Sequence, residues 1–349
     1  MGVRDLGDGG GSTVDAGCRD DSALRPHPAH DPSPHLPTDI LLRHEGSGAP
    51  VGRFAPSPTG RMHAGNVFSA LMAWLIAKQD GGEIVLRIED LDEQRSKPEY
   101  IDAIMRDLEY LGLTWDRGPY FQHDRTAAYE EAYRELESRG LVYPCFCTRA
   151  DLHAASAPHR GEKTVYPGTC RLLTAEERIE RSAVRKPATR LIVPDETVSF
   201  VDEIQGAYSQ NLAAECGDFL VRRSDGAFAY QLAVVLDDAE QGVTSVVRGC
   251  GLLCSTPQQM YLQGLFGFAH PAYAHIPLLT GDIDRRLSKR DRDADMEALK
   301  ARFKTPEALL GHLAGLTGIA PNSNPIPLDE LMERFTLEPL QNTIQIPWR

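Results

Sequence analysis

The segment from Arg53 to Asn66 reads as a short strand, a loop braced by prolines and the start of a helix. The first turn of a helix offers unpaired backbone N–H groups and a partial positive charge, which together suit a phosphate group. Gly65 would let a ligand approach the backbone, and the imidazole of His63 can donate to a phosphate oxygen. On these two residues alone, a nucleotide site and an ordinary strand-to-helix turn explain the pattern equally well.

A second group able to act on phosphate lies far along the chain, where Lys289 stands between Arg286 and Arg290. Cations beside a phosphoryl group stabilise the negative charge that accumulates during its transfer. Taken alone, however, such a cluster is more often a solvated basic loop. Its interpretation therefore depends on the rest of the chain.

The sequence holds seven cysteines, an odd number that argues against a disulfide framework. Cys145, Cys147 and Cys170 are close enough in sequence to supply three corners of a tetrahedral zinc site. His153 and His159 are the commoner kinds of fourth ligand, and buried free thiols are the alternative to a metal site. The remaining cysteines lack such spacing and read as small core or surface residues: Cys18, Cys216, Cys250 and Cys254.

The 349 residues carry a formal charge of −13, which opposes indiscriminate binding to a polyanion, although locally basic faces can still bind one. The longest nearly apolar stretch, residues 67–77, is well short of the roughly 18 residues that span a bilayer. The N-terminus has no apolar core of the kind that a secretory signal needs. We therefore expect no membrane association and a cytoplasmic location.

The elements that must position these residues alternate between strand and helix. Such an order, with connections long enough for crossovers, is typical of a parallel α/β sheet. The predicted elements are strands at 51–55 and 84–88, a helix at 66–79 with Asn66 as N-cap, a helix opened by Ser96 and Pro98, a helix around Tyr129 to Leu136, a helix opened by Thr256 and Pro257, and helices near 296–303, 306–316 and 328–335.

The predicted fold class is α/β: a catalytic domain with a Rossmann-like parallel sheet, an insertion rich in Cys, His, Arg and Pro, and a short helical C-terminal part. Glycine, proline and serine dominate the N-terminal residues, which cannot bury enough apolar surface to fold. The expected division is a disordered leader at 1–48, the first half of the catalytic domain at 49–144, the insertion at 145–194, the second half at 195–282, and a basic loop with short helices at 283–349.

The segment from Arg53 to Asn66 closely resembles the HIGH region of class I aminoacyl-tRNA synthetases, and specifically that of the glutamyl-tRNA synthetase family. Further segments match this family in order, and the resemblance covers about residues 51–295. Asn66 replaces the final His of the first motif and Arg286 the first Lys of the last, and both changes keep a polar or cationic group. The further matching segments are 86–90, 111–116, 246–249 and 286–290, the last being similar to the KMSKS loop.

This resemblance implies activation of an amino acid, in which its carboxylate attacks the α-phosphate of ATP. Lys289 is then expected to stabilise the transition state, while His63, Gly65, Asn66 and Lys289 bind ATP, which carries Mg²⁺ on its polyphosphate. An acidic substrate needs fixed cations, for which Arg53 and Arg248 are candidates. In the family the matching positions line the glutamate pocket: Arg53, Phe54, Ala55, Pro56, Ser57, Glu89, Tyr230 and Arg248.

Within that pocket, Glu89 is the candidate partner of the substrate ammonium, and Tyr230 is a hydrogen-bond donor. Without the resemblance, Arg53 and Glu89 would read as a structural ion pair. The family pattern also points to Tyr166 as the fourth ligand of one structural Zn²⁺ ion, beside Cys145, Cys147 and Cys170.

Only 59 residues follow Arg290, too few for the helical anticodon-binding modules of the full-length enzymes. The chain is thus similar to short members of the family, which attach L-glutamate to the queuosine base in the anticodon stem-loop of tRNA(Asp) and activate glutamate without tRNA. The alternatives are a truncated enzyme that charges a tRNA 3′ end and a non-catalytic RNA-binding paralogue. Candidate RNA contacts, each also explained as a solvated helix face, are Arg178, Arg181, Arg185, Lys186 and Arg190 in one cluster and Arg222 with Arg223 in another.

Overall fold

The structure is a computed structural model that describes residues 48–148, 151, 165–281 and 295–348. Its strands are β1 (Val51–Phe54), β2 (Glu83–Ile88), β3 (Arg117–Phe121), β4 (Val142–Cys145), β5 (Ala188–Leu191), β6 (Thr197–Asp202), β7 (Gly206–Asn211), β8 (Phe219–Arg222), β9 (Ser245–Gly249), β10 (Ala272–Ile276), β11 (Leu278–Thr280) and β12 (Gln345–Pro347). Its α-helices are α1 (Ala64–Gln79), α2 (Pro98–Tyr110), α3 (Thr126–Ser138), α4 (Ala175–Val184), α5 (Tyr230–Glu240), α6 (Thr256–Phe266), α7 (Met296–Phe303), α8 (Pro306–Leu316) and α9 (Leu328–Arg334).

The strands that position the site run parallel. β2 pairs with β1 on one side and β3 on the other, and β9 pairs with β10. The N–H of Thr244 donates to the carbonyl of Val51 at 2.9 Å, which brings the start of β9 alongside β1. The strands thus form a three-stranded sheet, β1-β2-β3, and a two-stranded sheet, β9-β10, which lie side by side at β1 and β9, and the chain progresses outward in both directions from there. Ligands in such sheets bind in the crevice at the carboxyl ends of the strands where the order reverses.

Helix α1 connects β1 to β2 and begins directly beside that crevice. Its N-cap is His63, whose Nδ1 accepts from the N–H of Gly65, while Asn66 Oδ1 accepts from the N–H of His63. The prediction of Asn66 as N-cap is therefore wrong by three residues. Asn66 serves instead as the reciprocal partner in a capping box, in which both side chains satisfy backbone donors.

Apolar side chains of α1 are buried nearly all the way round the helix because it lies between two layers. Val67, Phe68, Leu71, Met72 and Leu75 are almost fully buried, in one core with β1, β2 and the C-terminal helices α7 to α9. Each large aliphatic side chain so buried stabilises the fold by about 1.5 to 3 kcal/mol. The start of α1 is thus held rigidly relative to the sheet.

From β4 to β8 the pairing is antiparallel. β5 lies between β4 and β8, and β6 with β7 forms a separate hairpin. Cys145 ends β4 and is buried. The chain then returns to the parallel strands through α5, which precedes β9.

The predicted parallel α/β sheet is confirmed, and the structure bears out the local elements with boundaries that shift by at most three residues. The apolar residues around 228–235, which the sequence left without an assigned element, fall mainly within α5. None of the helices in the described ranges combines the length and the apolar character needed to cross a bilayer.

Candidate active site

A cavity of about 490 Å³ opens at the carboxyl ends of β1, β2 and β9, beside the start of α1. All residues predicted to hold glutamate line this cavity, together with two of those predicted to bind ATP: Arg53, Phe54, Ala55, Pro56, Ser57, His63, Asn66, Glu89, Tyr230 and Arg248. Gly65 lines a smaller adjoining cavity that shares His63 and Asn66 and extends to Leu278 and Leu279. Residues spread over nearly 200 positions of sequence therefore meet at one place.

His63 faces the cavity with a defined protonation pattern. Because its Nδ1 accepts from the N–H of Gly65 at 3.1 Å, the proton of the neutral ring lies on Nε2. A Cβ at Gly65 would lie 3.0 Å from His63 Cε1, so glycine leaves the space that this folded-back ring needs. The His63 ring thus lies close to the backbone at Gly65, and the approach of a ligand to this backbone stays a prediction.

Arg53 is buried at the end of β1 and held by two groups. Its Nη1 donates to the carbonyl of Val247 at 2.9 Å, and its Nε lies 3.6 Å from Asp238 Oδ1. Asp238 also accepts from Arg87 Nη1 at 2.7 Å, so one carboxylate serves two guanidinium groups. Burial lowers the pKa of Arg53, opposed by Asp238 and reinforced by Arg87. An additional anion in the cavity would offset this desolvation.

Glu89 follows β2 and has a side chain that is 10% exposed. Its nearest cationic partner is Arg87, at 3.4 Å, so Glu89 does not form the structural ion pair with Arg53 that its sequence context alone would suggest. Burial raises the pKa of Glu89, while the charges of Arg87 and Arg53 oppose the shift. A cationic group bound in the cavity would favour the ionised carboxylate.

Arg248 lies near the end of β9 and is 5% exposed. Its guanidinium donates to His275 Nε2 at 3.0 Å, to Gln259 Oε1 at 2.7 Å and to Thr256 Oγ1 at 2.9 Å. The hydroxyl of Tyr230 lies 3.5 Å from Arg248 Nη1. These contacts fix the plane of the guanidinium at the wall of the cavity.

Among the residues that the structure describes, the charged side chains in the cavity lining are Arg53, Glu89 and Arg248, which sum to one positive charge. Two cations and one anion in a partly desolvated space suit a ligand with two carboxylates and one ammonium group. Helix α5 contributes both to the lining and to its support, since Tyr230 stands at its start and Asp238 near its end.

Lys289, with Arg286 and Arg290, lies outside the described residues. The described residues on both sides of that segment reach the site. Leu278 and Leu279 line the smaller cavity, and Asp295 forms a β-bridge with His63.

A second candidate site lies at the end of β4, where the sulfur atoms of Cys145, Cys147 and Cys170 are all within 4.8 Å of one another. Cys147 Sγ is 3.6 Å from Cys170 Sγ, and Tyr166 Oη is 3.5 Å from Cys145 Sγ and 3.8 Å from Cys147 Sγ. Tetrahedral zinc with Zn–S bonds of about 2.3 Å would place its sulfur ligands about 3.8 Å apart. The three thiols are therefore compatible with a zinc ion, and the hydroxyl of Tyr166 lies beside them.

The charges around these thiols support the same interpretation. Burial, with Cys170 and Cys145 nearby, raises the pKa of Cys147 to about 12, so the cluster does not hold three thiolates without a cation. Burial also raises the pKa of Cys145, but its hydrogen bonds with Tyr166 and Arg190 outweigh it and lower the value. Metal binding would deprotonate the thiols, as Zn²⁺ requires of its ligands. His153 and His159, the other candidate ligands, lie outside the described residues.

Arg190, one of the candidate RNA contacts, lies on β5 and not on a solvated helix face. It is 7% exposed, its Nε donates to Cys145 Sγ at 3.2 Å, and its guanidinium lies 3.7 Å from the centre of the Tyr166 ring. The interpretation of Arg190 as an exposed basic residue is therefore wrong, because its charge faces the thiols and not solvent.

The sequence reasoning missed the residues that hold the arginines in place. Asp238, Gln259, Thr256, His275 and Asp202 come from α5, α6, β10 and β6, and long-range contacts bring them together. Gly249 also lines the cavity, and its presence in the quoted 246–249 motif was the available signal.

Comparison with known proteins places these sites in context. Residues 51–345 match the family described as tRNA synthetases class I (E and Q), catalytic domain. The chain is 45% identical over 309 residues to a glutamyl-Q tRNA(Asp) synthetase of Symbiobacterium thermophilum, covering 85% of this chain and 95% of that protein. It is 46% identical over 286 residues to the protein of that name in Nitratidesulfovibrio vulgaris, covering 78% and 88%.

A crystal structure of a glutamate tRNA ligase from Elizabethkingia meningosepticum in complex with its amino acid is also similar. The two chains are 28% identical, with a TM-score of 0.73 over 86% of this chain and 67% of that one.

Proposed function

This chain belongs to the class I tRNA synthetases for glutamate and glutamine, a family of ligases, and we propose that it activates L-glutamate with ATP and transfers it to queuosine in tRNA(Asp). The prediction of an enzyme of this class is confirmed by the family match. The substrate and the acceptor are the proposed part. The observation that carries the proposal is a single cavity that joins the start of α1 to a lining whose described charged residues sum to one positive charge.

In the proposed complex, Arg248 and Arg53 bind the side-chain carboxylate of glutamate, and Glu89 binds its α-ammonium group. L-Glutamate carries one net negative charge, which complements the lining. Glutamine would leave a buried arginine without its anion, and a charge-assisted hydrogen bond contributes about 1.5 to 3 kcal/mol. This difference is the physical basis on which the pocket would select glutamate.

Activation requires an oxygen of the α-carboxylate to bond to the α-phosphorus of ATP as the bond to pyrophosphate breaks. The products are glutamyl-AMP and pyrophosphate, and no proton has to be removed from the nucleophile. His63 Nε2 would donate to a phosphate oxygen, with Gly65 and Asn66 at the same helix start. Lys289 is proposed to stabilise the charge on the α-phosphoryl group. In support of this role, Asp295, the first described residue after the segment that contains Lys289, forms a β-bridge with His63. Mg²⁺ bound to ATP would neutralise part of the polyphosphate charge.

In the second step, a hydroxyl group of the acceptor attacks the carbonyl carbon of glutamyl-AMP, the bond to the phosphate oxygen breaks, and AMP leaves as the hydroxyl proton passes to its phosphate or to water. Two observations favour the queuosine base of the tRNA(Asp) anticodon stem-loop as the acceptor. The similar proteins are named for that tRNA, and the match covers 95% of one of them. The proposed substrates, ATP and tRNA, also agree with the cytoplasmic location expected from the sequence.

Cys145, Cys147, Tyr166 and Cys170 are proposed to hold one structural Zn²⁺ ion. The cluster ties the end of β4 to the chain near residue 170, and Arg190 from β5 supports it. A metal that crosslinks these strands would stabilise the antiparallel part of the chain without taking part in the reaction.

Pyrophosphate exchange into ATP, measured without any tRNA, tests the activation step. The proposal predicts exchange with L-glutamate and at least about tenfold lower kcat/KM with L-glutamine, from the loss of one charge-assisted bond. No exchange with glutamate, even when tRNA is added, would favour the non-catalytic RNA-binding alternative. Exchange that strictly requires tRNA would contradict tRNA-independent activation and favour an enzyme that charges a 3′ end.

A further inference from the structure

A buried histidine–aspartate pair lies directly behind Arg248. His275 of β10 has no exposed surface, and its Nδ1 lies 2.5 Å from Asp202 Oδ2 of β6. On the other side of the ring, Arg248 Nε donates to His275 Nε2 at 3.0 Å. The carboxylate, the imidazole and the guanidinium therefore form a continuous hydrogen-bonded series that ends at the cavity.

The contacts of His275 define its protonation state. Nε2 accepts from an arginine, which always donates, so Nε2 carries no proton. The ring proton must then lie on Nδ1, where it is donated to Asp202. Asp202 is kept ionised in turn, because it also accepts from the backbone N–H groups of Ile204, Gln205 and His275 at 3.0, 2.9 and 3.0 Å. An imidazolium at this position would place two donors face to face.

The ring also separates two opposite charges. Among the described residues, the hydrogen-bond acceptors of Arg248 are an imidazole, an amide, two hydroxyl groups and no carboxylate. Arg53, by contrast, has Asp238 at 3.6 Å. Arg248 is thus oriented by neutral groups, and its charge stays available to an anion in the cavity.

We propose that His275 and Asp202 are positioning residues that fix Arg248 for the substrate carboxylate and thereby set the preference for glutamate. The inference rests on the proposed function, because it assumes that Arg248 binds glutamate. Asp202 locks the Nδ1–H form of His275, and the unprotonated Nε2 holds Arg248 without neutralising it. A carboxylate in place of His275 would orient the arginine equally well but would compete with the substrate for its charge.

The same arrangement links the pocket to other parts of the chain. Asp202 is the last residue of β6, the first strand of the β6–β7 hairpin. Gln205 lies in the turn of this hairpin, and its side chain donates to the carbonyls of His275 and Thr343 at 2.8 Å each. The hairpin, the central sheet and the C-terminal segment therefore converge on the residues that orient Arg248.

Two substitutions of His275 separate its two contacts. In His275→Asn the amide reaches only the position of Nδ1, so it can donate to Asp202 but cannot accept from Arg248. In His275→Gln the amide oxygen reaches the position of Nε2 and can still accept from Arg248. We expect His275→Asn to raise the KM for glutamate at least about tenfold, with kcat and the KM for ATP within about twofold of the wild type. His275→Gln should recover most of this loss.

Two further variants complete the test. Asp202→Asn removes the charge that locks the tautomer and should shift the KM for glutamate in the same direction as His275→Asn. His270→Asn is the matched control, because His270 contacts Gln263 on α6 and does not line the cavity. Direct titration of glutamate binding by calorimetry should reproduce the order of the KM values. Equal KM values for His275→Asn, His275→Gln and the wild type would overturn the inference, as would equal losses in both substitutions.

Nitrogen-15 NMR of the imidazole groups tests the arrangement without any substrate. The inference predicts a neutral His275 ring with its proton on Nδ1 between about pH 6 and 8. Burial and the charges of Arg248 and Arg53 lower the pKa of His275, while Asp202 opposes the shift. A protonated ring or an Nε2–H tautomer in this range would overturn the inference even if the wild type activates glutamate. If the wild type binds and activates no glutamate, the proposed function fails, and this spectrum still decides whether His275 accepts from Arg248.

Discussion

Replacement of Arg248 by glutamine tests the basis of substrate choice. Arg248→Gln removes the positive charge and leaves three buried acceptors, on His275, Gln259 and Thr256, with fewer donors. Loss of one charge-assisted bond to the substrate costs about 1.5 to 3 kcal/mol, or roughly 10- to 150-fold in kcat/KM for glutamate. Glutamine cannot use that charge, so its kcat/KM should change little and the preference for glutamate should fall by the same factor.

The assay is ATP–pyrophosphate exchange at varied glutamate and glutamine concentrations, without tRNA. Arg134→Gln is a suitable control, because its side chain is 73% exposed on α3 and pairs only with the half-buried Glu130 among the described residues, which keeps Arg222 as a second partner. The control should behave as the wild type in exchange and in thermal melting. An Arg248→Gln protein that folds and keeps the wild-type preference for glutamate over glutamine would refute the assignment of Arg248 to the substrate carboxylate.

Lys289→Ala should depress exchange by at least about 100-fold while thermal melting stays unchanged, because the lost cation acts on the transition state; near-wild-type exchange would contradict its role. Cys147→Ser should lose zinc in elemental analysis and lower the melting temperature, whereas Cys254→Ser should keep the metal; wild-type protein purified without chelators that contains no zinc would contradict the site. Burial raises the pKa of Glu89 above its ordinary value of 4.5, and the ionised form binds the ammonium group, so the KM for glutamate should rise as pH falls toward that raised pKa. Glu89→Gln should remove this pH dependence and show a high KM throughout, and an unaltered acidic limb would exclude Glu89 as its source.

Elements with a strong local signal could be predicted from the sequence. Pro98 opens α2, and Thr256 with Pro257 opens α6, because proline fits the first turn of a helix without losing a hydrogen bond. Apolar spacing likewise indicated α7 and α8 at their observed bounds. The N-cap of α1 was displaced because His63 and Asn66 are both able to cap, and spacing alone does not decide which one comes first.

The resemblance to the family identified the residues that line the cavity, but it did not identify the residues that hold those side chains in place. Arg248 and His275 are 27 positions apart, and His275 and Asp202 are 73 apart, so no local pattern joins them. They meet because β9 pairs with β10 and the β6–β7 hairpin folds against β10. Arg190 shows the reverse case. From sequence alone, a basic residue in a basic segment is predicted to be exposed. The structure shows instead that Arg190 is buried on β5 and donates to Cys145.

The acceptor of the activated glutamate is the central claim, and its location on the RNA is measured directly. The protein is incubated with ATP, labelled glutamate and purified tRNA(Asp) that either contains or lacks queuosine, and the RNA is then digested with nuclease. The account predicts label only on the queuosine nucleoside of the anticodon loop and none on tRNA that lacks it. Label on the 3′-terminal adenosine, or equal labelling of both tRNA preparations, would contradict it.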